Sequence, residues 1–321
     1  LNFQGAIMTK TIASIAALMS GFALTPAAFA HGTHIPLAQQ ATPTPVTTTD
    51  LGDGLYMLQG RGGNVGVLAG DDGVFVIDSQ YAEMAPGILS AINDIAGDKP
   101  RYLVNTHWHG DHTGGNAAMG SAGATIIAHQ GVRDRVTVDV TRDFFGQENT
   151  TPAAPPEAWP VITFNDQMTL FLNGQTVRLI HAPTAHTDGD TFIIFEEANV
   201  LHTGDLMFNG MFPFVDITSG GSFDGFINAS TKMAMMTDNE TRIIPGHGTM
   251  ATRDNIKETL AMLGGVMEAV QAEIDQGKDI DAVLDAAPLT PWVEDWATRF
   301  MTEPRFTRLV YLDLTRNAET E

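Results

Sequence analysis

The chain has 321 residues, a formal net charge of −21 at pH 7 and no cysteine. An acidic excess of that size repels phosphate backbones and argues against nucleic acid as a partner. Without thiols there is neither a disulfide nor a thiolate ligand, so any metal site must be built from nitrogen and oxygen donors.

Residues 1–7 (LNFQGAI) precede an internal Met8 and read as a cloning or protease-site remnant. Residues 8–30 read as a secretory signal peptide: Lys10 supplies the positive start, Ile12 to Leu24 the apolar stretch, and Ala28-Phe29-Ala30 the small-x-small cleavage site. The apolar run falls short of the roughly 20 residues that a membrane span needs. The expectation is export to a periplasmic or secreted location, with no membrane association after cleavage. Lys10 is the only charged side chain before His31, so cleavage takes the formal charge from −21 to −22.

Residues 31–50, rich in Pro, Thr, Ala and Gln, read as a flexible lead-in, with His31 and His34 as solvated spectators. Order is expected from near Gly54. The runs Leu55 to Gln59, Asn64 to Ala69 and Val74 to Asp78, separated by Gly-rich turns, predict an antiparallel meander. Asp78, a carboxylate at the end of an apolar strand, fits a helix cap and a hydrogen-bond partner of a metal-binding histidine equally well. Ala82 to Ala96 predicts a helix with Pro86 in its first turn, and Arg101 to Thr106 a short buried strand.

That strand runs into His107-Trp108-His109-Gly110-Asp111-His112. If His107 and His109 are still extended, the period of two puts both imidazoles on one side, where they can share a metal ion. A turn at Gly110 then aims Asp111 and His112 elsewhere, toward a second ion. Trp108 alternates away from its neighbours and is expected to pack within its own layer. A helix from about Gly115 and a strand over Ala124 to Ala128 follow, an alternation that points to α/β layering. His129, at the end of that strand, reads as structural.

Residues 142–161 contain four prolines and read as a long loop, of a length that is often functional. A second β-rich block then repeats the opening pattern: Met168 to Leu172, an Asn173-Gly174 turn, Thr176 to Ile180, Thr191 to Phe195 and Val200 to His202. Two related halves are inferred from the repeat. Three further ligand candidates, His186, Asp205 and His247, each follow a strand and have glycine or proline close by, which places short side chains at the lip of a sheet.

In this order, the Asp78 strand end, the H-x-H-x-D-H motif, the A-H-T-x-G-D segment, the T-G-D-L-x-F segment and the P-G-H-G segment resemble the metallo-β-lactamase-fold superfamily of metallohydrolases, over roughly Leu55 to Thr249. The resemblance implies an α/β fold, an αββα four-layer sandwich over residues 51–250. Residues 251–321 would add a short C-terminal helical extension packed on the same domain. It assigns His107, His109 and His186 to one metal, Asp111, His112 and His247 to another, and Asp205 as a bridge between them. Two zinc ions are expected, with iron or manganese also compatible with the donor set. The chemistry implied is a bridging hydroxide attacking the carbonyl of an ester, lactone, thioester or amide, with Asp111 orienting it and helping to deliver a proton to the leaving group.

Two other readings compete. A β-lactamase, or weak promiscuous β-lactam hydrolysis, shares the metal core, but the lactamase groups that resemble this chain carry Cys or Ser where Asp205 stands. No basic residue occurs from Asp205 to Ser230 to hold a β-lactam carboxylate. An iron-dependent oxidoreductase similar to persulfide dioxygenases would use the same fold.

His181, Asp190 and His202 are expected either to be structural or to hydrogen-bond a metal ligand. Met207, Phe208, Asn209, Phe212 and Phe214 are expected to form a wall for a small-molecule substrate. The periodicity predicts a helix capped by Thr252 or Asp254 and ending at Gly277, then helices over Ile280 to Asp285, Trp292 to Met301 and Arg305 to Asp313. Trp292, Trp296 and Phe300 would form a stripe on the third of these. The tail is too short for the separate helical domain of glyoxalase II enzymes, and oligomerisation is open.

Overall fold

A computed structural model of the chain describes residues 45–318. The expected remnant (1–7), the expected signal peptide (8–30) and residues 31–44 of the expected lead-in lie outside the described residues. The first apolar runs become β1 (Thr47–Gly52), β2 (Leu55–Gln59), β3 (Val65–Leu68) and β4 (Val74–Ile77), an antiparallel meander as the turns predict. Helix α1 (Ala85–Ala96) then carries the chain over to β5 (Pro100–Asn105), which lies parallel to β4. After α2 (Gly110–Thr113) and α3 (Asn116–Ala122) comes β6 (Thr125–His129), then α4 (Gln130–Val136), the hairpin β7 (Val140–Phe144) with β8 (Gln147–Thr151), and β9 (Ile162–Phe164). The first sheet has the order β1-β2-β3-β4-β5-β6-β9.

The second half supplies β10 (Gln167–Leu172), β11 (Gln175–Ala182), β12 (Asp190–Phe195), β13 (Val200–His202), α5 (Phe223–Met236) and β14 (Arg242–Ile244), with the sheet order β10-β11-β12-β13-β14. Both sheets are antiparallel at the start and end in parallel pairing, which is the structural form of the repeated pattern. The C-terminal helices are α6 (Arg253–Ile274), α7 (Ile280–Ala286), α8 (Val293–Trp296) and α9 (Glu303–Ala318). Among the described residues, no helix is long and apolar enough to cross a membrane.

Alternation along the strands gives each sheet two apolar faces, and each face is covered. Leu55, Phe75, Ile77 and Val104 of the first sheet meet Val177, Leu179, Ile193 and Phe195 of the second, with Phe75 and Phe195 edge to face at 6.2 Å. The outer face of the first sheet, including Val67 and Val76, packs on Ile88 and Ile92 of α1 and Met119 of α3. The outer face of the second, including Phe192 and Ile243, packs on Met233 of α5 and Ile256 of α6. The layers are therefore helix, sheet, sheet, helix, as expected. A further cluster joins Phe208, Phe212 and Phe223 to Leu263 and Val266 of α6 and Phe306 and Val310 of α9.

Four sequence expectations need correction. Residues 47–50 belong to an edge strand, because pairing with β2 orders a β-branched Thr-Thr-Thr run that has no order of its own. The predicted loop 142–161 holds most of the β7–β8 hairpin, whose central residues Phe145 and Gly146 both have positive φ (55° and 84°), as a tight primed turn requires. The helix predicted over Trp292 to Met301 is only α8 followed by extended chain at Ala297, so the aromatic stripe is not one helical face. Helix α5 carried no sequence signal read above; Ser222 caps it by accepting from the Gly225 N–H at 3.0 Å. Of the two proposed caps for α6, Thr252 occupies the position, its N–H donating to Asn255 Oδ1 at 3.0 Å.

Phe306 is fully buried and stacks on Phe212 at 4.4 Å, tying α9 to the loop beside the site. Phe306→Ala is expected to lower unfolding free energy by about 3–5 kcal/mol, read from urea denaturation midpoints.

Candidate metal centre

Strand β5 ends at Asn105; residues 106–108 bend, and only at His109 are the dihedrals those of extended chain (φ −63°, ψ 149°). The expected strand alternation therefore does not run through the motif, yet the bend still brings His107 and His109 together, with ring nitrogens Nε2 and Nδ1 3.1 Å apart. His186 Nε2 lies 2.9 Å from the same His109 Nδ1. His107, His109, His186 and Asp205 place ligand atoms within 4.8 Å of one another, and Asp111, His112 and His247 form a second such group. These are the two groups that the sequence proposed, and Asp205 lies between them. Its Oδ2 faces His107 Nε2 (3.7 Å) and His186 Nε2 (3.5 Å), while Oδ1 faces His112 Nε2 (3.0 Å) and His247 Nε2 (3.4 Å).

Acceptors on the outer side of the cluster fix which ring nitrogen carries a proton. His186 Nδ1 donates to the Phe214 carbonyl at 2.6 Å, His109 Nε2 to Asp216 Oδ2 at 2.9 Å, and His112 Nδ1 to Asp78 Oδ2 at 2.7 Å. His107 Nδ1 contacts Thr106 Oγ1 at 3.0 Å, and that hydroxyl donates onward to Asp78 Oδ2 at 2.7 Å. With the outer nitrogen protonated, the rings of His107, His109 and His186, kept neutral by burial, turn their lone pairs inward. Converging lone pairs repel unless a cation sits among them. His112 Nε2 and Asp205 Oδ1, moreover, are buried without a hydrogen-bond partner. The wall behind them is equally tight: a Cβ on Gly63 would lie 2.1 Å from His112 Cε1, and one on Gly246 would lie 2.1 Å from Asp205 Oδ1. The donor set therefore fits divalent metal.

Electrostatics agree. Burial penalises charge at Asp111, but His112 and His247 outweigh it and hold its pKa at about 2. Burial likewise opposes a charged His247, yet Asp205 and Asp111 raise its pKa to about 9. Burial, helped by His112, pushes His107 well below the usual imidazole range, and burial lowers His109 and His186.

A family model described as the metallo-beta-lactamase superfamily matches residues 58–247, more than half of the chain. The chain belongs to that superfamily. Its relatives include an atrochrysone carboxyl ACP thioesterase of Pseudocercospora fijiensis, 27% identical over 55% of this chain and 46% of that protein. Another is an acyl-coenzyme A thioesterase of Bos taurus, 22% identical over 61% of this chain and 79% of that protein. A hydroxyacylglutathione hydrolase of Anaeromyxobacter dehalogenans is 30% identical over 38% of this chain and 39% of that protein. The chain spans about half the length of the first of these relatives. Among solved structures, a metallo-beta-lactamase from Pontibacter korlensis superposes with TM-score 0.57 at 16% identity, over 68% of this chain and 99% of that chain. The sec-alkylsulfatase Pisa1 from Pseudomonas sp. superposes with TM-score 0.59 at 18% identity, over 83% and 50%. At such identities these structures bear on the fold alone.

Within this superfamily fold, the polar residues around the cluster divide sharply. Asp78, in the left-handed region at φ 64°, is the hub that the sequence left open: it accepts from the Thr106 N–H (2.8 Å), the Thr106 hydroxyl and His112. Asp190 accepts from Thr187 N and Oγ1 at 2.7 and 2.6 Å and shapes the turn after His186 without touching a cluster histidine; burial raises its pKa to about 7. His202 joins the Asn64 carbonyl (3.2 Å) to the Gly204 N–H (3.2 Å), bracing the turn that presents Asp205. His181 faces away, stacked on His129 at 3.7 Å, so a contact with a ligand is excluded for it.

The sequence reading missed Asp216 and Arg142. Asp216 accepts from His109, and Arg142, delivered by β7, bonds to Asp216 while its guanidinium lies 4.8 Å from the Trp108 ring centre. Trp108 itself is buried beside Ala128, Val132 and Val136, as expected of a residue that packs in its own layer. Asp216 is 107 positions from His109 in the chain, in a loop with no period, so no local signal marks it.

A cavity of about 470 Å³ opens over Asp111, Asp205 and His247, lined by Phe208, Phe212 and Phe214 as expected. Met207 and Asn209 do not line it. Met207 is buried in one cluster with Phe192 and Met233, because the chain leaves the 3-10 turn Gly204–Leu206 beneath the helices that cover the second sheet. Asn209 turns outward and donates to the Thr249 carbonyl at 3.1 Å. Met211, Arg61, Tyr81, Arg299 and Phe300 complete the wall instead.

Removing the Asp216 carboxylate takes away the acceptor for the outer nitrogen of His109 and leaves it facing the Arg142 guanidinium at 2.9 Å; Asp216→Ala is expected to weaken metal binding about 10–100-fold, measured by chelator competition. Because metal must displace the His247 proton, apparent affinity is expected to rise as pH rises from 7 toward about 9. An affinity independent of pH, once the chelator's own protonation is corrected for, would contradict that assignment.

Proposed function

We propose that the protein is an exported dinuclear metal-dependent hydrolase that cleaves a carbonyl substrate, an ester, lactone, thioester or amide. The observation that carries the reading is Asp205, whose two oxygens each face a different group of candidate ligands. His107, His109 and His186 would hold one ion, Asp111, His112 and His247 the other, and Asp205 would join them. Divalent ions bound there, zinc foremost, supply Lewis acidity toward a carbonyl oxygen and lower the pKa of water, so that a nucleophile exists at neutral pH. The chain's own groups do the rest. Asp111, held as a carboxylate, would accept a hydrogen bond from the attacking water and orient it, take up its proton as the carbonyl is attacked, and hand that proton to the leaving group as the carbonyl–leaving-group bond breaks. The apolar side chains of Phe208, Phe212 and Phe214 exclude bulk water and seat the acyl part beside the cluster.

Thioesters are the leading substrates, since several relatives are described as thioesterases acting on acyl carrier protein or coenzyme A derivatives. Export rests on the signal-like residues 8–30. Elemental analysis is expected to find about two divalent ions per wild-type chain and about one in Asp205→Ala. A panel of thioester, lactone, aryl ester, β-lactam and secondary alkyl sulfate is expected to show hydrolysis of the carbonyl compounds. A single iron per chain with oxygen consumption and no hydrolysis would overturn the reading.

A further inference from the structure

The cavity wall has two origins. Phe208, Met211, Phe212 and Phe214 follow Asp205 and lie within the residues matched by the family model, whereas Thr298, Arg299 and Phe300 come from the segment between α8 and α9, beyond that match. This strap is anchored on both sides of Arg299. The Phe212 N–H donates to the Trp296 carbonyl at 2.7 Å, and the Met301 N–H donates to Thr298 Oγ1 at 2.9 Å, with Met301 buried. Phe300 meets Phe214 edge to face, with ring centres 6.0 Å apart.

Arg299 and Arg61 are the arginines of the wall, both exposed to solvent, whereas its other ionisable side chains apart from Tyr81, namely Asp111, Asp205 and His247, belong to the candidate metal centre. Arg61 lies over the Tyr81 ring at 5.1 Å and pairs with Glu83 at 2.7 Å, both side chains being more than half exposed. A pair so open to water is weakly held and exchanges readily for another anion. In a chain of net charge −21, these two guanidinium groups stand at the solvent side of a cavity whose carboxylates lie in the candidate metal centre. Guanidinium groups match the planar fork of carboxylates and the oxygens of phosphates.

We propose that the strap Thr298 to Phe300, together with Arg61, selects amphipathic anions: acyl substrates whose apolar part lies on the phenylalanine wall and whose carboxylate or phosphate group meets Arg299 and Arg61. The proposal rests on the hydrolase reading, which makes this cavity the substrate site. It places the selection partly on the C-terminal segment, outside the portion shared with the family.

Binding of thioethers tests it, because a thioether has no carbonyl to cleave. Three ligands share an octyl chain: neutral S-octyl-N-acetylcysteamine, S-octyl-mercaptopropionate with a carboxylate, and S-octyl-phosphopantetheine with a phosphate. Each is titrated calorimetrically into the metal-loaded full chain. At least one anionic ligand is expected to bind about tenfold tighter than the neutral one, and which of them does so identifies the anion. In the double variant Arg61→Gln, Arg299→Gln that ratio should fall to about one, with thermal denaturation checking that the fold is kept. Equal affinities for all three ligands overturn the proposal. So does a preference that survives both substitutions, which would put the anion on the metal centre. The matching S-octanoyl thioesters are assayed in parallel. Hydrolysis without anion preference sinks this proposal alone, and anion preference without hydrolysis sinks the hydrolase reading alone.

Discussion

Three imidazole nitrogens, on His107, His109 and His186, converge to about hydrogen-bond distance with their lone pairs facing one another. Local spacing keeps His107 and His109 close, but His186 arrives from the second half of the chain, and the arrangement persists because each proton is held on the far side of its ring. Thr106, Asp216 and the Phe214 carbonyl provide those anchors, and Asp78 does the same for His112. The anchors are buried and come from different elements, so the cluster cannot form until both sheets have closed. Much of the surrounding fold can be understood as the means of bringing the anchors together.

The sheets meet at this edge through backbone as well as side chains. The Thr191 N–H at the start of β12 donates to the Thr106 carbonyl at 2.8 Å, and the Asn64 N–H donates to the Gly246 carbonyl at 2.8 Å. Asn64 Nδ2 adds a bond to the Pro245 carbonyl at 2.8 Å, so the segment bearing His247 is held against the end of the β2–β3 hairpin. These bonds fix the distance between the two ligand groups. The glycines at positions 63 and 246 allow the close approach, since any larger residue would occupy the space of His112 or Asp205.

The cavity follows a different logic. Its floor is the acidic and imidazole-rich cluster, and its walls are phenylalanines from the loop after Asp205 and from the C-terminal strap. Phe306 stacked on Phe212 couples the loop after Asp205 to the C-terminal helices, and the Phe212 N–H bonded to the Trp296 carbonyl couples it to the strap, so the outer wall and the C-terminal packing are one structure. An apolar wall beside a polar floor suits a ligand with an apolar body and one reactive polar group.

By itself the sequence determined the parts whose meaning is local. Short apolar runs mark most strands of the two sheets, glycine-rich turns mark the meander, and the spacing of His107, His109, Asp111 and His112 places four donors at one strand end. His186, Asp205 and His247 are legible for the same reason, each standing beside a turn just past a strand. Tertiary structure alone decided the rest. The choice between cap and anchor for Asp78 depended on where His112 would turn, and the roles of His181 and His202 depended on which neighbour each strand end would meet. Asp216 and Arg142 carry no periodic signal, because their partners lie far away in the chain and contacts of that kind leave no trace in local spacing.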